Sequence, residues 1–157
     1  MQIIELDKII QLLYNVKTMK KTIFILIILA SSTVEANEVK CLAENIYHEA
    51  RGEPIIGQLA VAKVTLNRVK SKKYKDTICQ VVKQYKQFSW TLDPSIYNKE
   101  KDEDWVTSYE LARTVLEPGV EFLRGFKATH YHAKSANSSW GFEIYAMIGN
   151  HIFYVEK

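Results

Sequence analysis

Residues 47–54 read YHEARGEP and set two carboxylates, a histidine and an arginine close together ahead of a Gly-Glu-Pro break. Glu49 is the candidate acid. Val39, Leu42, Ala43, Ile46, Tyr47 and Ala50 recur at three- and four-residue spacing, the apolar stripe of a helix over residues 38–51. Glu49 borders that stripe in the last turn. Burial and the negative end of the helix dipole both favour a protonated carboxyl. Such a group can act as a general acid near neutral pH. Arg51 would pull the other way, and the competing reading is a solvated glutamate at a helix end. Glu53 follows the Gly52 turn. Its carboxylate either caps or orients the next helix, the reading adopted, or stands beside Glu49 as the second carboxylate of a glycosidase.

Two further groups have functional types. His130-Tyr131-His132 sets two imidazoles on one face of a strand, and His48 or His151 would be a third zinc ligand. The reading adopted is a pair of strand histidines with ordinary partners, so no metal and no cofactor is expected. Gln87-Phe88-Ser89-Trp90 and Trp140 are suited to sugar contact: aromatic rings stack on apolar sugar faces, while Gln87 and Ser89 bond hydroxyls or amides. Phe88 and Trp90 are equally readable as core plugs beneath a long loop.

The elements that must position these residues follow in order. Pro54 suits the first turn of a second helix reaching Val69, with Ile55, Leu59, Ala62, Leu66 and Val69 as its stripe, widened by Val61 and Val64. Residues 70–76, KSKKYKD, are a solvated basic loop. A short helix capped by Asp76 or Thr77 then turns Ile78, Val81 and Val82 inward. Residues 84–104 are aromatic and polar without a clear period, and loops of that length are usually functional. A fourth helix runs from about Asp104 to Leu116 and ends at Pro118-Gly119. Residues 126–133 alternate as a strand, and 142–156 hold one or two more around a Gly149-Asn150 turn. The fold class is α+β, helices first and a small antiparallel sheet last.

A composition of 47% hydrophobic and 25% charged residues is ordinary for one globular domain. The formal charge of +3 is too small to argue for nucleic acid, and none is expected as a partner. Residues 19–36, MKKTIFILIILASSTVEA, have the plan of a secretory signal peptide: a basic start, a short apolar core, and small residues before cleavage after Ala36. An uncleaved anchor is the competing reading, though the apolar run is about half of what a bilayer span needs. Residues 1–18 make a poor start to a signal and are read as an upstream extension or a misassigned start ahead of Met19. Residues 37–157 then form one exported domain, to the periplasm or the cell exterior, expected as a monomer without a stable membrane anchor. Cys41 and Cys79, the only cysteines, would meet an oxidising compartment and pair; two buried free thiols are the alternative.

Taken together, CLAENIYHEARGEPIIGQLAVAKVTLNRV (41–69), DTICQVV (76–82), QFSW (87–90), ATHYHA (128–133) and IGNHIFY (148–154) resemble the SleB-like cell-wall hydrolase family over nearly all of 39–155. The resemblance implies a lysozyme-like fold and peptidoglycan as substrate, cut between N-acetylmuramic acid and N-acetylglucosamine. It implies a lytic transglycosylase with Glu49 as the general acid and base. Hydrolysis of the same bond by a muramidase route is an alternative, as are a glycan-binding module without activity and a zinc amidase or peptidase built on the histidines. Spore-cortex members usually carry a separate wall-binding domain. A compact exported form fits a phage lysin or a wall-remodelling enzyme better.

Overall fold

The computed structural model describes residues 35–93, 102–136 and 140–156. The expected upstream extension, the signal segment up to residue 34, and residues 94–101 of the aromatic loop lie outside the described residues. The chain divides into two compact units, 1–36 and 37–157, and the second holds all the elements named below apart from the start of the first helix. Among the described residues no helix is long and apolar enough to cross a membrane.

Helix α1 covers residues 35–50. Its expected stripe from Val39 to Ala50 is buried throughout, and Asn45 is buried with it. Thr65 Oγ1 donates to Asn45 Oδ1 at 2.8 Å, which satisfies one polar atom of each helix inside the core. Helix α2, Ile55–Lys70, lies against α1. Its burial corrects the expected single stripe: Ile55 is half exposed, while Ala60, Val61, Ala62 and Val64 are fully covered. The cause is that α2 serves two apolar clusters. One gathers Leu42, Ile46, Ala62, Ile78, Val82, Phe88, Trp90 and Ala112. The other gathers Ala50, Ala60, Val61, Val64, Phe126, Ala128 and Phe153. A helix covered on both sides reads as broadly apolar, so its period is a weak guide to which face is deepest.

Helix α3, Ile78–Val82, begins at Thr77, whose hydroxyl accepts from Gln80 N at 3.2 Å. It is tied to the start of α1 twice. Ile78 N donates to Glu38 Oε2 at 2.7 Å, and Cys41 and Cys79 form a disulfide with Cα atoms 5.1 Å apart. The aromatic segment is not all irregular: Ser89–Leu92 form one 3-10 turn with Trp90 buried. Helix α4, Glu103–Leu116, starts slightly earlier than the sequence suggests because Asp102 takes the cap. One Asp102 oxygen accepts from Trp105 N at 3.0 Å and the other from Tyr47 Oη at 2.9 Å, joining α4 to α1.

Strands β1 (His130–Ala133), β2 (Glu143–Ile148) and β3 (His151–Val155) form an antiparallel sheet in the order β1-β3-β2. β1 is shorter than the alternation over 126–133 suggests. Asn67 Nδ2 donates to Phe126 O and Ala128 O at 2.9 Å each, and Arg68 Nε donates to Thr129 O at 2.7 Å. Polar side chains of α2 therefore occupy carbonyls that a partner strand would otherwise use. Residues 126–129 are held to α2 and precede β1, with only Thr129 N reaching β3, at Tyr154 O, 3.1 Å.

Candidate active site

Glu49 sits where the two apolar clusters meet, in the last turn of α1. Gly52 adopts φ +81 just beyond it, the left-handed conformation that lets the chain leave a helix at once. β1 lies across from that helix end. Tyr131 is packed against both clusters, and its hydroxyl donates to Glu49 Oε2 at 3.1 Å. The bond spans 82 positions in sequence. It orients the carboxyl group at the cleft.

A cleft of about 370 Å³ opens over this pair. Glu49 and Arg68 lie at its helical side, and His130, Tyr131 and His132 line it from β1. Lys86, Gln87, Phe88 and Ser89 come from the aromatic segment, and Trp140 from the turn before β2. The structure therefore brings together most of the residues singled out by type alone. Ser89 is exposed and Gln87 half-buried, open to a ligand. Phe88 and Trp90 are both 5% exposed and belong to the core, which favours the plug reading for them; Phe88 also lines the cleft. Trp90 instead stacks on His48 with ring centroids 4.3 Å apart. Trp140 keeps 44% of its surface and is the aromatic best placed to stack on a sugar.

The electrostatics set Glu49 apart. Burial raises its pKa above the ordinary carboxylate value. The Tyr131 hydroxyl, the Trp90 side chain and the Arg68 charge, in that order, oppose the rise without cancelling it. The expected counter-charge from Arg51 is corrected: Arg51 packs over the Tyr47 ring at 4.8 Å, and the cation acting on Glu49 is Arg68. Tyr131 is held protonated, its pKa pushed well up by burial and then by the Glu49 charge, so it remains a donor. His130 is kept toward its neutral form by burial and then by Arg68.

Glu53 does not do what the sequence suggests. Helix α2 begins at Pro54 with no side-chain cap. The Glu53 carboxylate reaches across to the β2–β3 turn, where Oε2 accepts from Asn150 N at 2.8 Å and Oε1 from Asn150 Nδ2 at 3.0 Å. These bonds, the backbone one first, lower its pKa. It does not line the cleft, so the second-carboxylate reading has no geometric support. Asn150 O in turn accepts from Lys134 N at 2.7 Å, just past β1.

The histidines each have partners. His132 Nδ1 faces Ala133 O at 2.7 Å and must carry its proton there, so Nε2 at 2.7 Å from Tyr154 Oη accepts in the neutral ring. His130 lies between Thr129 Oγ1 at 3.1 Å and Tyr74 Oη at 3.3 Å. His151 meets the Tyr131 ring edge-on. Among the described residues no three His, Cys, Asp or Glu side chains converge as metal ligands. Sequence reasoning missed three contributors: Arg68, Lys86 and Tyr74. Arg68 alone left a signal, a charged residue four positions after Val64 on the buried side of an apolar helix.

Known proteins match this chain in sequence and in structure. A family model described as Cell Wall Hydrolase matches residues 52–154. A spore cortex-lytic enzyme of Bacillus cereus is 31% identical over 74% of this chain, and one of Halalkalibacterium halodurans is 33% identical over the same share. The matched regions make up 44% and 34% of those proteins, so the chain spans less than half the length of these curated relatives. The catalytic domain of the germination-specific lytic transglycosylase SleB from Bacillus anthracis superposes with a TM-score of 0.59 at 32% identity, covering 76% of this chain and 94% of that one. The catalytic domain of Bacillus cereus SleB superposes equally, at 30% identity. The α+β, lysozyme-like fold is shared with these domains, and the chain belongs to the cell wall hydrolase family.

Proposed function

We propose that this protein cleaves the glycan strand of peptidoglycan between N-acetylmuramic acid and N-acetylglucosamine, as a lytic transglycosylase with Glu49 as its single acid and base. The observation that carries the reading is one carboxyl, raised in pKa by burial, anchored through one oxygen by Tyr131 and facing an open cleft. Relatives named as cortex-lytic enzymes and as a lytic transglycosylase support the substrate and the reaction class.

The steps balance on this one group. Protonated Glu49 gives its proton to the glycosidic oxygen as the bond to the anomeric carbon breaks, and the leaving sugar departs as an alcohol. The carboxylate then takes the proton of the C6 hydroxyl of the muramoyl sugar as that oxygen attacks the same anomeric carbon. A 1,6-anhydro ring closes and Glu49 is protonated again. The nucleophile is already tethered to the reacting sugar, and proximity of this kind replaces a second carboxylate. Trp140 offers a stacking face, and Gln87 and Ser89 offer polar contacts to the strand. Export follows from the reading, since the substrate lies outside the membrane and residues 19–36 have the plan of a signal peptide.

Mass spectrometry of the products from purified peptidoglycan tests this directly. Anhydromuramoyl ends are expected. Reducing muramoyl ends would replace the transglycosylase with a hydrolase, and free peptides with intact strands would reject glycan cleavage.

A further inference from the structure

Arg68 has no part in the proton transfers, yet it is a charged side chain with only 3% of its surface exposed at the edge of the cleft. Buried guanidinium groups are normally matched by a carboxylate, because an unpaired buried charge is costly. Here Nε donates to Thr129 O at 2.7 Å, and the group lies 5.5 Å from the Tyr74 ring centre and 5.7 Å from that of Phe88. Nη1 has no hydrogen-bond partner. Arg68 takes part in no ion pair among the described residues.

Burial lowers the pKa of Arg68, while Tyr131, Tyr74 and then Glu49 act on it through space in the other direction, with a Tyr74 hydrogen bond after them. Glu49 is the one carboxyl among these. In the state that begins the proposed reaction, however, Glu49 is protonated and carries no charge. Lys86 adds a second cation to the cleft lining, exposed and held at φ +60, a conformation that non-glycine residues seldom adopt. His130 beside Arg68 supplies no compensating charge, being an imidazole. With Glu49 protonated, as the proposed reaction requires, the cleft lining holds two cations and no anion.

We propose that the Arg68 end of the cleft is a carboxylate subsite, with Arg68 as the buried cation and Lys86 as the cation at the rim, and that an acidic substituent of the glycan occupies it. The inference rests on reading the cleft as a muramoyl-glycan site. On such a strand the carboxylate has two sources: the lactyl group of a peptide-free muramoyl sugar, or a free carboxylate of a peptide stem. The shared chemistry is a carboxylate near the scissile bond, and it bears on binding instead of on proton transfer.

The test uses small probes and needs no turnover. N-acetylmuramic acid and its carboxamide, and an alanyl-γ-glutamate stem peptide and its amide, are titrated into the wild-type protein by NMR chemical-shift mapping. The acid of one pair is expected to bind roughly 10- to 100-fold tighter than its amide, the range for a charge-assisted hydrogen bond. The pair that shows the preference identifies the source. The preference should shrink in Lys86→Gln and vanish in Arg68→Gln. If Arg68→Gln fails to fold, the wild-type comparison and the exposed Lys86→Gln variant still decide the matter. Equal binding of acid and amide in both pairs overturns the subsite. Acid-selective binding in a protein that cuts no strand would keep the subsite and reject glycan cleavage instead.

Discussion

Glu49 and Glu53 have the same side chain, lie one helical turn apart in sequence and are both half-buried, yet their pKa values move in opposite directions. At Glu49 burial dominates, with a hydroxyl donor on one oxygen, and the pKa rises. At Glu53 a backbone N–H and a side-chain amide bond the two oxygens, and the pKa falls. The left-handed Gly52 between them is what turns the two carboxylates to different tasks. In the proposed reaction, chemistry goes to the residue that burial makes reluctant to ionise. Architecture goes to the one whose charge is fully used by donors.

The sharpest way to break this contrast is Glu49→Gln. The amide keeps the shape and removes the proton, so activity on peptidoglycan should fall about 10²–10⁴-fold while circular dichroism stays unchanged. Near wild-type clearing by the folded variant would end the assignment. The next largest effect concerns the other end of the same helix. Replacing Cys41 and Cys79 by serine opens a loop with a sequence separation of 38. It should cost about 3–4 kcal/mol in the chain-entropy model, read by denaturant titration. At temperatures where the variant is folded its activity should persist, because the disulfide is remote from Glu49.

Gly149→Ala sharpens the Glu53 side. Gly149 has φ +56, and a Cβ built there would run into the Glu53 carboxylate. A loss of about 2 kcal/mol is expected from the left-handed backbone and the displaced contact. The cost should be smaller in a Glu53→Ala background, and purely additive losses would mean that the two do not share a contact.

The smallest effects are in the pH dependence of stability, and their signs are opposite. Glu49 has a raised folded pKa. Its favourable contribution is full below the ordinary glutamate value and is lost as pH rises through the folded pKa. Glu49→Gln should therefore be at least as stable as wild type at neutral pH. Glu53 has a lowered folded pKa. Its contribution is present above the ordinary value and is lost as pH falls through the folded one. Glu53→Gln should cost about 1–2 kcal/mol at neutral pH and nothing in acid, allowing for solvent screening at an exposed pair. Melting curves across pH that shift in the same direction for both variants would contradict the contrast.

Much of this was legible in the sequence, and the reasons for the rest are physical. The α1 stripe, the Thr77 cap and the Gly149-Asn150 turn follow from local rules, and local rules suffice where the partner is a few residues away. The expected Glu53 cap failed because the competing donors on Asn150 lie 97 positions on. No period or cap rule reaches that far. Arg68 escaped notice because helix α2 is covered on two sides, so a polar residue on it reads as solvated when it is in fact buried. The strand over 126–133 forms only in its second half: burial alternates over 126–128, where Asn67 and Arg68 take carbonyls of residues 126–129, while 130–133 are evenly half-buried in the sheet. The family resemblance supplied what no local rule could, the ligand class proposed for the cleft.

The strand order has a consequence for how the Glu49 contact is held. β1 carries Tyr131 and pairs only with β3, residue His130 opposite Tyr154 and Ala133 opposite His151. Without residues 151–155, β1 has no paired strand, and Tyr131 keeps only its packing on the apolar clusters and the ties of residues 126–129 to α2. A chain cut short before His151 would therefore present the Tyr131 hydroxyl to Glu49 less firmly, and β3 acts as a brace for a contact it does not itself make.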